Sequence, residues 1–180
     1  MSYEVIARLG FFLFILLGIS IWEIVAPMRK LKISKVSRWF NNLLLVFLDT
    51  LILRILFPTA AVGVAIFCQQ YNLGLLNLFD IPAWFKIVVA FLALDFTIYL
   101  QHVLFHYLPL LWRFHKVHHI DLDYDVTTGL RFHPVEIVLS MLIKFMAIFL
   151  IGAPVLAVII FEIVLNGTSV RINRVVYIIL

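Results

Sequence analysis

Residues 84–133 read WFKIVVAFLALDFTIYLQHVLFHYLPLLWRFHKVHHIDLDYDVTTGLRFH. The stretch opens as an apolar run and ends in every histidine of the chain. About 20 apolar residues are what a helix needs to cross the hydrocarbon of a bilayer. His102 and His106 stand four apart at the end of that run, so on a helix their rings share one face. HKVHH repeats the spacing with His115 and His119 and sets His118 beside them. His102, His106, His115, His118, His119 and His133 are all the histidines of the 180 residues. Such concentration marks a metal site. The five up to His119 exceed the roughly three or four ligands of one tetrahedral ion, which favours two ions. Imidazole suits iron, zinc, copper and nickel, and the absence of nearby cysteine excludes thiolate-rich structural zinc.

Composition sets the environment. Hydrophobic residues make up 64% and charged residues 13%, against about 25% charged in soluble domains. Mean hydropathy is +1.11. The chain reads as an integral membrane protein, and its net charge of +4 reports topology, not nucleic-acid binding. Cys68 stands alone in an apolar run and reads as a buried thiol. The apolar run 9–22 lacks a basic leader and a small-residue cleavage site, so it reads as a retained transmembrane helix over 5–25.

The fold class expected is all-α, with about four membrane-embedded helical segments and a cytoplasmic histidine-rich loop. A second span covers about 43–67, kinked at Pro58. A third covers about 84–106. The apolar region 137–166 is long for one span and is divided by Gly152-Ala153-Pro154, which predicts a helical hairpin or one strongly bent span. Arg29, Lys30, Lys32, Lys35 and Arg38 make the 27–41 loop an inner one. Residues 69–82 carry no Lys or Arg and read as outer, while Arg113, Lys116 and Arg131 bring 111–131 back inside. Asp49 and Arg54 fall within the second span, as a substrate-path contact or as structural partners of other helices. Asp95, Tyr99, His102 and His106 share a sector of roughly 60° on the third. Asp95 there either orients a ligating imidazole, as a carboxylate beyond the ligands does, or bonds a packing partner. Asp121, Asp123 and Asp125 resemble the start of a calcium loop, but the later Gly and Glu are misplaced. They either orient the histidines or are solvated. Pro134 begins a helix well, and Glu136 suits its first turn.

Four stretches carry a family resemblance: LDFTIYLQHVLFH (94–106), LWRFHKVHHIDLDYDVTTGLRFHPVE (111–136), and the earlier WEIVAP and RW. They resemble the fatty acid hydroxylase/sterol desaturase superfamily of membrane non-haem di-iron oxygenases, in its bacterial sterol desaturase branch, over about residues 20–169. The resemblance implies two iron ions. It matches His102 and His106 to a first histidine box, and His115, His118 and His119 to a second. His133 and Glu136 match an RxHPxE element. It implies O₂-dependent hydroxylation or desaturation of a lipid or sterol C–H bond, an external electron donor, and a bacterial inner membrane. It divides the chain into membrane helices (1–90), an incomplete histidine-box part (91–169) and a divergent tail (170–180). Members carry a third histidine cluster after the stretch matched by FEIVLNGTS (161–169), whereas this chain continues as VRINRVVYIIL. The chain thus resembles a truncated member, and the alternative is a catalytically inactive relative that still binds metal. A di-haem carrier with paired histidines is a third reading; three histidines within HKVHH suit an ion cluster better.

Overall fold

The computed structural model describes residues 34–121, 123, 125 and 127–175, with residues 10, 14, 17–22 and 25 before them. Most of the first expected span and residues 27–33 of the basic loop lie outside the described residues. Six helices follow: α1 (Lys35–Leu56), α2 (Ala60–Gln70), α3 (Ala83–Tyr107), α4 (Pro109–His119), α5 (Pro134–Ile151) and α6 (Val155–Val175). Single 3₁₀ turns sit at Leu75–Asn77 and Thr128–Leu130. The described residues form no strand. Among the described residues, three stretches are long and apolar enough to cross a membrane: Lys35–Asn77, Ala83–Tyr107 and Pro134–Ile151; Val155–Thr168 is a shorter apolar helix. The protein is an all-α integral membrane protein.

Two details differ from the sequence expectation. Pro58 breaks the second span instead of kinking it: α1 ends at Leu56, and Phe57 takes φ −131°, ψ 71°. A residue before proline is pushed off the helical conformation, and proline offers no N–H to the turn behind it. The histidine-rich connection is also largely helical. Pro109 occupies the first turn of α4, where its missing N–H costs nothing, so HKVHH lies on a helix and only residues 120–133 form the loop.

The core packs α2, α3, α5 and α6. Ala61, Ala65, Ala90, Ala147, Ala153 and Ala157 are buried beside Leu94, Ile148, Val158 and Phe161. Small residues let helix backbones approach closely, which is how membrane helices gain contact without a hydrophobic drive between them. Gly152 ends α5 in the left-handed conformation (φ 68°), and α6 turns back as the expected hairpin. Lys144 on α5 and Glu162 on α6 pair at 3.6 Å across that hairpin. At its far end α6 packs against the Thr128–Leu130 turn, on the histidine side.

The turns at Gly74 and Gly152 meet backbone to backbone. Gly74 has φ 94°, and a Cβ there would lie 2.2 Å from the Gly152 nitrogen. Gly74→Ala is expected to destabilise the protein by about 2 kcal/mol or more, through left-handed strain and displaced backbone together. Gly18→Ala, with nothing within 4 Å of the added carbon, should change little. Thermal unfolding of both variants in detergent checks this; equal melting temperatures would refute the backbone contact.

Candidate metal centre

Two helices supply one cluster. His102 and His106 occupy the last turns of α3. Leu108, extended at φ −89°, ψ 119°, turns the chain into α4, which carries His115 and His119 on one face. The Nε2 atoms of His102 and His106 are 3.1 Å apart, as are those of His115 and His119. One ligand atom from each of the four lies within 4.8 Å of all the others. Two nitrogens held by one ion at ~2.1 Å are roughly 3.0–3.4 Å apart at right or tetrahedral angles. The donor set therefore fits a metal ion. The Trp112 ring walls the cluster, 5.1 Å from His106 and 5.7 Å from His119.

Each remaining ring nitrogen matters. His115 is buried, and its Nδ1–H donates to Glu136 Oε1 at 2.6 Å. That bond fixes the tautomer and leaves Nε2 unprotonated toward the cluster. His118 donates from Nδ1 to the Arg131 carbonyl at 3.3 Å, and its ring stacks on Phe132. Its ring centre is 5.1 Å from that of His119, at the edge of the group. His133 does something else: its Nδ1 accepts the Val135 N–H at 3.1 Å as the cap of α5, and its ring packs on Phe114. Asp95 is exposed on α3, and among the described residues no hydrogen bond or ion pair joins it to the histidines.

Burial, then the crowding of His118, His115, His106 and His102, pushes His119 from the usual 6.5 down to about 4. Burial first and His115 second also lower His118. Rings held neutral keep a lone pair free for a cation.

The loop behind the cluster is clamped by α1. Arg38 donates to both Asp121 oxygens at 3.2 and 3.0 Å and pairs with Asp125 at 3.2 Å. Trp39 Nε1 reaches Asp125, and Asn42 reaches Thr127. Arg131 donates twice to the Val117 carbonyl, an acceptor the last turn of α4 leaves unpaired. Asp121 and Asp125 of DLDYD thus anchor the loop to α1. Sequence reasoning missed Glu136 as the partner of His115. Its signal was a carboxylate in the first turn of an otherwise apolar helix.

Fold and donor set define a helical membrane protein with a four-imidazole cluster that could hold a metal ion. Residues 87–173 match the family described as fatty acid hydroxylase. A similar curated protein is the ornithine lipid hydroxylase OlsE of Rhizobium tropici, 32% identical over 74 residues, which are 41% of this chain and 22% of that protein. The match therefore spans about a fifth of the relative's length. No solved structure matches.

His115→Ala with His119→Ala should lower the metal content of folded, purified protein several-fold, while His133→Ala leaves it unchanged. Because His119 stays neutral down to about 4, wild-type protein should keep its metal as pH falls through 6.5. Elemental analysis across that range checks both; equal metal in all variants would remove the four-histidine assignment.

Proposed function

We propose that the chain is a membrane-bound oxidoreductase in which iron, held by His102, His106, His115 and His119, serves O₂-dependent oxidation of a lipid C–H bond. The convergence of four imidazole nitrogens within 4.8 Å, inside a fatty acid hydroxylase segment, carries this reading. Iron in a nitrogen-rich site supplies O₂ binding and one-electron redox chemistry. A second ion would draw on His118, whose Nδ1 is already engaged by the Arg131 carbonyl. Hydroxylation balances as R–H + O₂ + 2e⁻ + 2H⁺ → R–OH + H₂O, with the electrons from an external donor. The similar protein is an ornithine lipid hydroxylase, which favours an alcohol product over an alkene, and an acyl lipid over a sterol.

The chain's own residues do the positioning. Glu136 holds His115, the Arg131 carbonyl holds His118, and Trp112 closes one side of the cluster. His102 and His106 stay exposed on the same face of α3 as Tyr99, so a lipid chain approaches from the bilayer along that helix. The test is reconstitution with iron, a reducing system and bacterial lipids, followed by mass spectrometry. Lipids gaining one oxygen atom, lost in His115→Ala, support the proposal; unchanged lipids with iron bound refute it.

The histidine end is proposed to face the cytoplasm of a bacterial inner membrane, because Lys35, Arg38, Arg113, Lys116 and Arg131 gather there while residues 69–82 carry no Lys or Arg. Cysteines placed at 116 and 72 should label from the cytoplasmic and outer sides respectively. The reverse pattern would overturn the orientation.

A further inference from the structure

The exposed charge around α4 is of one sign. Arg113 and Lys116 are exposed, and among the described residues neither joins an ion pair. The acids of this end of the molecule are already engaged or enclosed. Asp121 and Asp125 pair with Arg38, and 5% of each side chain is exposed. Asp123 and Glu136 are buried. Arg113 and Lys116 stand three apart on one helix, so two like charges sit side by side with no counter-ion. Such a patch attracts a surface of the opposite sign.

Trp112 lies beside them. Trp112, Lys116 and Arg113 fall within a sector of about 100° of α4. The Trp112 side chain is 37% exposed, yet its ring packs on those of His106 and His119, with centres 5.1 and 5.7 Å away. It therefore reaches from the molecular surface to the cluster. Leu110 and Ile120, each 64% exposed, flank the same side. An exposed indole with arginine and aliphatic neighbours has the composition of a protein-binding patch. A bilayer-embedded surface helix needs its apolar face free. The Phe114 face of α4 is instead spent on the protein, with the Phe114 ring 5.0 Å from that of His133. At roughly 16 Å long, α4 offers a small contact, of the size that transient electron carriers use.

We infer that the Trp112–Arg113–Lys116 face of α4 docks an acidic one-electron carrier protein and that Trp112 is the entry point for its electrons. This names the external donor of the oxidation proposed above and rests on that reading. Arg113 and Lys116 steer and orient the carrier, and Trp112 brings its cluster within two ring contacts of the histidines. Each encounter passes one electron from the reduced carrier to the iron proposed there. The carrier is oxidised and the iron reduced, and no bond or proton changes at Trp112. Two encounters supply the two electrons of one hydroxylation.

The test uses the full chain in nanodiscs of neutral phosphatidylcholine, with a plant-type ferredoxin as the one-electron carrier. Association should slow steeply as salt rises. Arg113→Gln with Lys116→Gln should slow it about tenfold at low salt and flatten the salt dependence, with metal content and melting temperature unchanged. In anaerobic stopped flow with iron-loaded protein, Trp112→Leu should leave association as it is and slow oxidation of prereduced ferredoxin several-fold. Rates are taken per bound iron, so a variant that holds less iron still reports on the path. Absent docking, or electron transfer unslowed in Trp112→Leu, would overturn the inference. So would a double variant that binds ferredoxin like wild type and loses affinity only for phosphatidylglycerol vesicles, since the two cations would then serve the membrane. The docking measurement needs neither iron nor oxidation. Salt-dependent docking governed by Arg113 and Lys116, beside lipids that stay unchanged, would refute the proposed oxidation and leave the docking face standing.

Discussion

The 2.6 Å hydrogen bond between His115 Nδ1 and Glu136 Oε1 is the constraint on which the site depends. All four converging imidazoles come from α3 and α4, two helices joined at one extended residue, Leu108. Such an elbow by itself leaves the angle between the helices loosely set. Glu136, carried on α5, fixes both the position of α4 and the tautomer of its buried ligand. Arg131 adds a second tie, with its side chain on the Val117 carbonyl and its own carbonyl on His118. The cluster is local in sequence, but its geometry is held from a distance.

The same division appears in how the fold is stabilised. The membrane core is built from alanines and a few large side chains, which gives close contact and little directional preference. The polar end supplies the direction. Arg38 is buried against Asp121 and Asp125. A buried ion pair of this kind adds little net stability over an apolar packing, while removing one partner costs about 3–5 kcal/mol. Its role is to hold one arrangement of the loop. At about 33 Å, α1 is longer than the hydrocarbon thickness of about 30 Å. Its first turns can therefore stand at the membrane surface and reach the 121–131 loop.

What the sequence made legible was periodic or compositional. HxxxH and HxxHH placed four imidazoles on facing helical stripes, and the Gly152-Ala153-Pro154 break foretold a hairpin or a sharp bend. Pro58 marked a discontinuity, but how far a proline interrupts a helix depends on what the freed backbone packs against. The pairings that position the site were not legible. Glu136 follows His115 by 21 residues, and Asp121 follows Arg38 by 83. Which side chains meet across two helices depends on their register and rotation, and periodicity within either helix does not encode that. Lys144 and Glu162, each an isolated charge in an apolar run, became a pair only once the hairpin closed.

The histidine cluster shows how crowding becomes chemistry. In water five imidazoles would titrate close to their usual value, and protons would compete with any metal. Here burial and mutual repulsion lower His119 to about 4 and depress His118 as well. Each proton added to the group charges a ring beside other rings, so the proton is a poor occupant. A divalent cation accepts several lone pairs at once and replaces that repulsion with attraction. The arrangement is therefore costly for protons and favourable for metal for one reason: the convergence of nitrogens that Glu136 and Arg131 enforce. Exposed His102 and His106 and buried His115 then leave the cluster one accessible side and one fixed side.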